Sequence, residues 1–202
     1  MSSGIPTHPA RRTVTITDAE LDDTDGLVSG VAGKTQPIEL GPADYNGDAV
    51  VVDGDGKGTA WAGPLPRAIT ISRADKVGAY KTDPIIVTGM RGGRVVTEEL
   101  VPEDADGDDI IRGEQIFDYP PTILIPAQAS DEGSFDVGVG DVGTPGAEDT
   151  FVGVKLHEAG SLSVGYLGGH EDTIPVEAKV REHIAPVRVL ATTAKTITVY
   201  LP

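Results

Sequence analysis

Between Phe151 and Leu201 apolar and polar residues change places at almost every step. Val152, Val154 and Leu156 alternate with Gly153, Lys155 and His157, and Leu162, Val164 and Tyr166 with Ser161, Ser163 and Gly165. Ile174, Val176, Ala178 and Val180 then alternate with Pro175, Glu177, Lys179 and Arg181, and Ile197, Val199 and Leu201 with Thr196, Thr198 and Tyr200. Successive side chains of a strand point to opposite faces, so a period of two specifies strands buried on one side. Five short strands are expected here, with Val187 and Val189 in the fourth, parted by Glu158-Ala159-Gly160 and Gly168-Gly169. The stretch holds neither a nucleophile–base pair nor metal-ligand spacing.

The same period recurs upstream. Strands are expected at Thr13–Thr17, Pro37–Leu40, Ala49–Asp53, Arg67–Ser72, Pro84–Met90, Arg94–Leu100, Thr122–Pro126 and Phe135–Val139. Arg91-Gly92-Gly93-Arg94 should form a hairpin turn, because glycine supplies the positive φ such turns need. Asp18–Gly33 gives little periodic signal, and no helix of ordinary length is visible, Ala178–Ala185 being the best window. With 26 Gly, 15 Pro, one Trp and three Phe, the core must rest on Val, Ile, Leu and Ala. The fold class expected is all-β: two small antiparallel sandwich- or barrel-like modules with an extended N-terminal arm. The arm covers residues 1–12, a first domain 13–146 and a terminal module 147–202, with Gly140–Ala147 as the most linker-like segment.

Lys and Arg number 16 against 32 Asp and Glu, a net charge of −16. Residues 1–60 carry −6, residues 61–146 carry −8 and residues 147–202 only −2. Such a surface repels nucleic acid and suits water or a basic protein neighbour. No cysteine is present, which removes disulfides and thiolate chemistry. No apolar run approaches the ~20 residues of a membrane span, and Met1–Ala10 lacks a signal-peptide core. Neither nucleic acid nor membrane is expected as a partner.

Two acidic loops invite comparison with calcium loops. Asp53-Gly-Asp-Gly-Lys-Gly has Asp53 and Asp55 at the first and third positions, but Lys57 and Pro64 fall at the fifth and twelfth. Asp104, Asp106 and Asp108 match the first, third and fifth positions of a second loop, with Asp109 where glycine belongs and Gln115 where glutamate belongs. Calcium needs six to eight oxygens, so a Gly-rich turn and a solvated acidic loop are the expected readings. His157, His170 and Asp172 fall at turns of the terminal module and form a further metal candidate without diagnostic spacing. No serine lies in a G-x-S-x-G elbow, and there is no phosphate loop or dinucleotide fingerprint. A non-enzyme without cofactor is expected.

Asp149-Thr150-Phe151-Val152-Gly153-Val154, Glu158-Ala159-Gly160-Ser161-Leu162-Ser163-Val164, Ile184 through Ala194 (with Pro186, Arg188 and Val189) and Ile197-Thr198-Val199-Tyr200 together resemble a small β module of tailed-bacteriophage and gene-transfer-agent structural proteins, in particular head spike-base proteins. Pro66–Ile71, Ile86–Gly89, Val95–Leu100 and Val137–Gly140 resemble a sandwich-like repeat of virion proteins. The resemblance implies a decoration protein on the capsid exterior, made in the host cytoplasm. It also implies the major capsid protein or other virion proteins as partners, and a homo-oligomer, trimer or pentamer. Interface cores are depleted in charge, so the assembly surface is expected on the terminal module, around Phe151, Leu156, Tyr166, Val187 and Tyr200. A tail or baseplate component and a calcium-assisted carbohydrate-binding module stay open as alternatives.

Overall fold

The computed structural model describes residues 13–17, 23–63, 65–74, 76–144, 153–166, 170–177, 181–182, 188–192 and 196–201. Seventeen strands follow one another, with no helix among the described residues. They are β1 (Thr13–Thr17), β2 (Asp23–Ala32), β3 (Ile38–Leu40), β4 (Val50–Val52), β5 (Gly58–Trp61), β6 (Arg67–Arg73), β7 (Ile85–Arg91) and β8 (Arg94–Leu100). Then come β9 (Ile110–Arg112), β10 (Thr122–Ile125), β11 (Ser134–Gly143), β12 (Gly153–Leu156), β13 (Gly160–Gly165), β14 (Glu171–Val176), β15 (Arg181–Glu182), β16 (Arg188–Thr192) and β17 (Thr196–Tyr200). The fold is all-β, antiparallel and sandwich-like, as the period of two requires.

One seven-stranded sheet serves two cores. Its path is β14-β13-β16-β11-β6-β9, with β2 also paired to β11. Against its β2, β6 and β11 part lies the sheet β3-β10-β7-β8, and between them Leu27, Ile69, Ile71, Ile85, Val87, Phe117, Ile123, Ile125, Phe135 and Val137 are buried together. Against its other end lies β1-β17-β12-β15, and here Val142, Val154, Leu156, Leu162, Val164, Val189, Ile197 and Val199 form a second core. Each such side chain contributes roughly 1.5–3 kcal/mol when fully removed from water. β11 passes through both: Val137 and Val139 belong to the first core, Val142 to the second.

Close packing explains why β11 carries glycines. A Cβ on Gly138 would overlap the Asp23 carbonyl and the backbone of Thr24, so β2 crosses β11 at a distance only glycine permits. The hairpin between β7 and β8 closes as expected, with Arg91 opposite Arg94 and positive φ at Gly92 (58°) and Gly93 (74°).

Several elements differ from the sequence expectation. The stretch Asp18–Gly33 contains the ten-residue strand β2, whose alternation is erased by register shifts against β11 at Val28 and Asp23. Gly140–Gly143, expected as linker, continues β11, because Val142 and Gly143 pair with Val189 and Arg188 of β16. β1 pairs residue for residue with the last strand, from Thr13–Tyr200 to Thr17–Thr196, so it belongs to the terminal sheet. β5, β9 and β15 are short additions absent from the sequence reading. The arm 1–12 and most of the 178–185 window lie outside the described residues.

Candidate functional site

The two acidic loops are built differently. Asp53 opens the turn between β4 and β5, and its Oδ1 accepts from the Asp55 amide at 2.9 Å and the Lys57 amide at 3.0 Å. Those donors, Lys57 first, hold its carboxyl below the usual carboxylate range. Asp55 and Asp53 share a solvated Gly-rich hairpin turn.

The second loop instead wraps an arginine. Arg73, at the end of β6, has a side chain fully removed from water, and its Nε and Nη2 donate to the two carboxylate oxygens of Asp109 at 2.6 and 2.7 Å. Its Nη1 donates to the Asp104 carbonyl at 2.9 Å, and the guanidinium lies 4.9 Å from the centre of the Tyr80 ring. The exposed Asp104 side chain lies 3.6 Å from Arg73 Nη2, and its Oδ1 accepts from the Asp106 and Gly107 amides at 2.9 and 3.3 Å. Asp108 sits at φ 60° and its amide donates to the Arg73 carbonyl. A fork-shaped cation matched to a carboxylate is the strong geometry for a buried pair. Asp109, which the sequence marked only as standing where a calcium loop needs glycine, is the anchor of this loop.

The remaining metal candidates separate. His157 follows β12 and its Nε2 lies 2.9 Å from Thr198 Oγ1, whereas His170 precedes β14 in the other sheet and stacks on Tyr166 with centroids 6.0 Å apart. Asp172 lies on β14 opposite Val164. Among the described residues no group of three or more His, Asp and Glu is placed to hold a metal.

Of the expected assembly residues, Phe151 and Val187 lie outside the described residues. Leu156 is fully buried in the second core and therefore is not surface: it occupies the inward position of β12, the same parity as Val154. Tyr166 is half-buried and packs against that core, and Tyr200 is half-buried on β17.

Arginines also join the two halves. Arg188 on β16 donates to the Glu114 carbonyl at 3.0 Å and pairs with Asp141 of β11 at 3.3 Å and Glu171 of β14 at 2.8 Å. Glu98 on β8 completes the link, its Oε1 accepting from the amides of Glu114 and Gln115 at 2.6 and 3.0 Å. Burial raises the Glu98 carboxyl above its ordinary value, while those two amides pull it back. Arg91 spans from the hairpin to Asp118 at 3.0 Å and to the Thr144 carbonyl at 2.8 Å. At the start of β2, burial pushes Asp23 up to about 6, and the side chains of Asp25 and Asp48 add to the shift.

A depression of about 440 Å³ opens beside the β7–β8 hairpin, lined among others by Trp61, Leu65, Pro66, Met90, Asp118 and Tyr119. Trp61 is held rigid by its indole N–H, which donates to the Phe117 carbonyl at 2.8 Å. Tyr119 stands 60 % exposed, the most exposed aromatic among the described residues. Asp118 is fixed by Arg91 and by the Gly92 amide at 2.6 Å. Nothing in the periodicity marks this site, since its residues come from three separate segments. Comparison with protein-family models, with curated proteins and with solved structures finds no match.

Proposed function

We propose that this chain is a non-enzymatic structural component of a phage-like virion, seated on the capsid exterior as a head spike-base or decoration protein. The observation that carries the reading is where the spike-base-like residues lie. Val154 falls on β12, Leu162 and Val164 on β13, Arg188 and Val189 on β16, and Ile197 and Val199 on β17. Those four strands supply most of the second core, so the resemblance follows one folding unit.

The architecture supports a particle role on physical grounds. Pairing of β1 with β17 brings residues 13–17 and 196–200 into one sheet with β12 and β15, and long-range pairing of this kind suits a component that must persist after dilution. The outer strand β14 carries Pro175, which has no amide to offer an unwanted strand. Half-buried Tyr166 and Tyr200 offer contact surface on the least charged third of the sequence. Cryo-electron microscopy of particles purified from the producing culture is the test. Density fitting the two sandwiches on the capsid shell is expected, and density confined to the tail, or absence of the chain from purified particles, overturns the reading.

A further inference from the structure

Strand β8 ends its sheet. In the order β3-β10-β7-β8 only β7 pairs with it, and its other edge meets no backbone of the described residues. A free edge presents unpaired N–H and C=O groups to any strand that fits them. The other outer strands are shorter or interrupted. β3 and β9 have three residues, β15 two and β1 five, Pro175 breaks the edge of β14, and β2 slips register twice. β8 runs for seven residues without proline, glycine or a bulge, and its Val95 is 70 % exposed.

The β7–β8 turn fixes which groups are free. Gly92 and Gly93 both take positive φ in a two-residue turn, so Arg91 and Arg94 exchange both of their backbone hydrogen bonds. Alternation then directs the N–H and C=O of Val96, Glu98 and Leu100 toward β7, and those of Val95, Thr97 and Glu99 outward. Met90, opposite Val95, obeys the same rule: its carbonyl turns away from β8 and accepts from the Asp118 amide at 2.7 Å.

This edge is complementary to itself. Two antiparallel copies centred on Thr97 set Thr97 opposite Thr97 and Val95 opposite Glu99, so every outward group is used and about six hydrogen bonds form. Arg94 then lies diagonally across from Glu98 of the second copy, unlike charges on one face. Centring on Glu98 instead sets that carboxylate against its own copy, and centring on Val96 leaves Glu99 opposite the turn residue Gly93. Glu98 does not guard the edge, because its Oε1 is held by the amides of Glu114 and Gln115.

We propose that the free edge of β8 pairs with the β8 edge of a second copy of this chain, about a two-fold axis at Thr97, joining two four-stranded sheets into one. This pairing is independent of the virion reading. A strip so narrow falls below the ~1,000 Å² of a stable interface, so association is reversible. The net charge of −16 on each copy opposes it until salt screens the repulsion.

Sedimentation velocity of the full chain from about 5 to about 500 μM tests it. The sedimentation coefficient should rise with concentration toward that of a dimer, and more steeply at higher salt. Thr97→Pro removes an outward amide that β7 does not use and should abolish the rise. A rise that persists in Thr97→Pro, or none in the unaltered chain, overturns the proposal. The chain has no cysteine, so single cysteines report the register. The proposed axis sets the two copies of position 97 about 5.5 Å apart and those of position 95 about 14 Å apart. A thiol cross-linker spanning about 6 Å should therefore join Thr97→Cys to its own copy roughly ten-fold more than Val95→Cys. Equal yields overturn the pairing, and this readout stands even where Thr97→Pro lowers stability.

Discussion

The loops at 53–58 and 104–109 look alike as sequence, both alternating aspartate with small residues, yet they are held by different physics. The first is local. Asp53 caps the amides of its own turn, and β4 and β5 form a separate two-stranded sheet on either side. The second is an intramolecular ligand for a cation 31 to 36 residues away in sequence, and its backbone is stitched to the 73–80 segment from the Asp106 carbonyl to the Lys76 amide. Acidic composition therefore says little about what a carboxylate does. What matters is whether a desolvated cation lies within reach.

Removing that cation is the largest way to break the contrast. Arg73→Ala should cost about 3 kcal/mol, because it strips Asp109 of its fork and leaves the loop without an anchor. Urea unfolding measures it, and an unchanged midpoint would show that the loop holds itself. The glycines give a matched pair at similar φ. Gly107 (φ 87°) would push a Cβ into the Ala74 carbonyl and the Tyr80 ring, whereas Gly56 (φ 82°) has nothing within 4 Å. Gly107→Ala should cost about 2–3 kcal/mol and Gly56→Ala about 1 kcal/mol, the latter being backbone strain alone. Equal losses in thermal melts would remove the distinction between the loops.

Two carboxylates sharpen it through pH. Asp23 has acid neighbours, Asp25 and Asp48, and its carboxyl is raised from 3.8 to about 6. The folded state then binds more protons than the unfolded one between those values, so stability falls as pH rises from about 4 to about 6. Asp23→Asn should flatten that slope in a series of chemical melts, and a slope left intact assigns it elsewhere. Asp53 has the opposite sign and the smallest effect. Its lowered carboxyl favours folding above the ordinary aspartate value, and that contribution fades as pH falls through the folded-state titration. An NMR titration placing Asp53 at or above 3.8 would contradict the amide-capped turn.

Much of the fold was legible because alternation is a local property. β1 falls where its Thr–Val–Ile alternation puts it and β8 where Val95 to Leu100 put it, and the Gly92–Gly93 turn follows from glycine's access to positive φ. β2 was illegible for an equally plain reason. Its register against β11 slips twice, so Leu27 and Val28 break the period of two that would have announced a strand. The site residues were the least legible. Arg73 in a run of Ile and Thr reads as the outer residue of a strand, and only the arrival of Asp109 makes its burial affordable. The low charge of its module points Leu156 to the surface, yet its parity with Val154 places it inward, where it is fully buried.

By itself the sequence determined an antiparallel all-β chain with Gly-turned hairpins and an aliphatic core, since alternation and turn chemistry act between near neighbours. Tertiary structure decided that one strand, β11, serves two cores, that the first strand seals the last, and that an acidic loop closes over an arginine. Those outcomes depend on which distant surfaces meet and exclude water together. Contacts between residues far apart leave no period in the chain to be read.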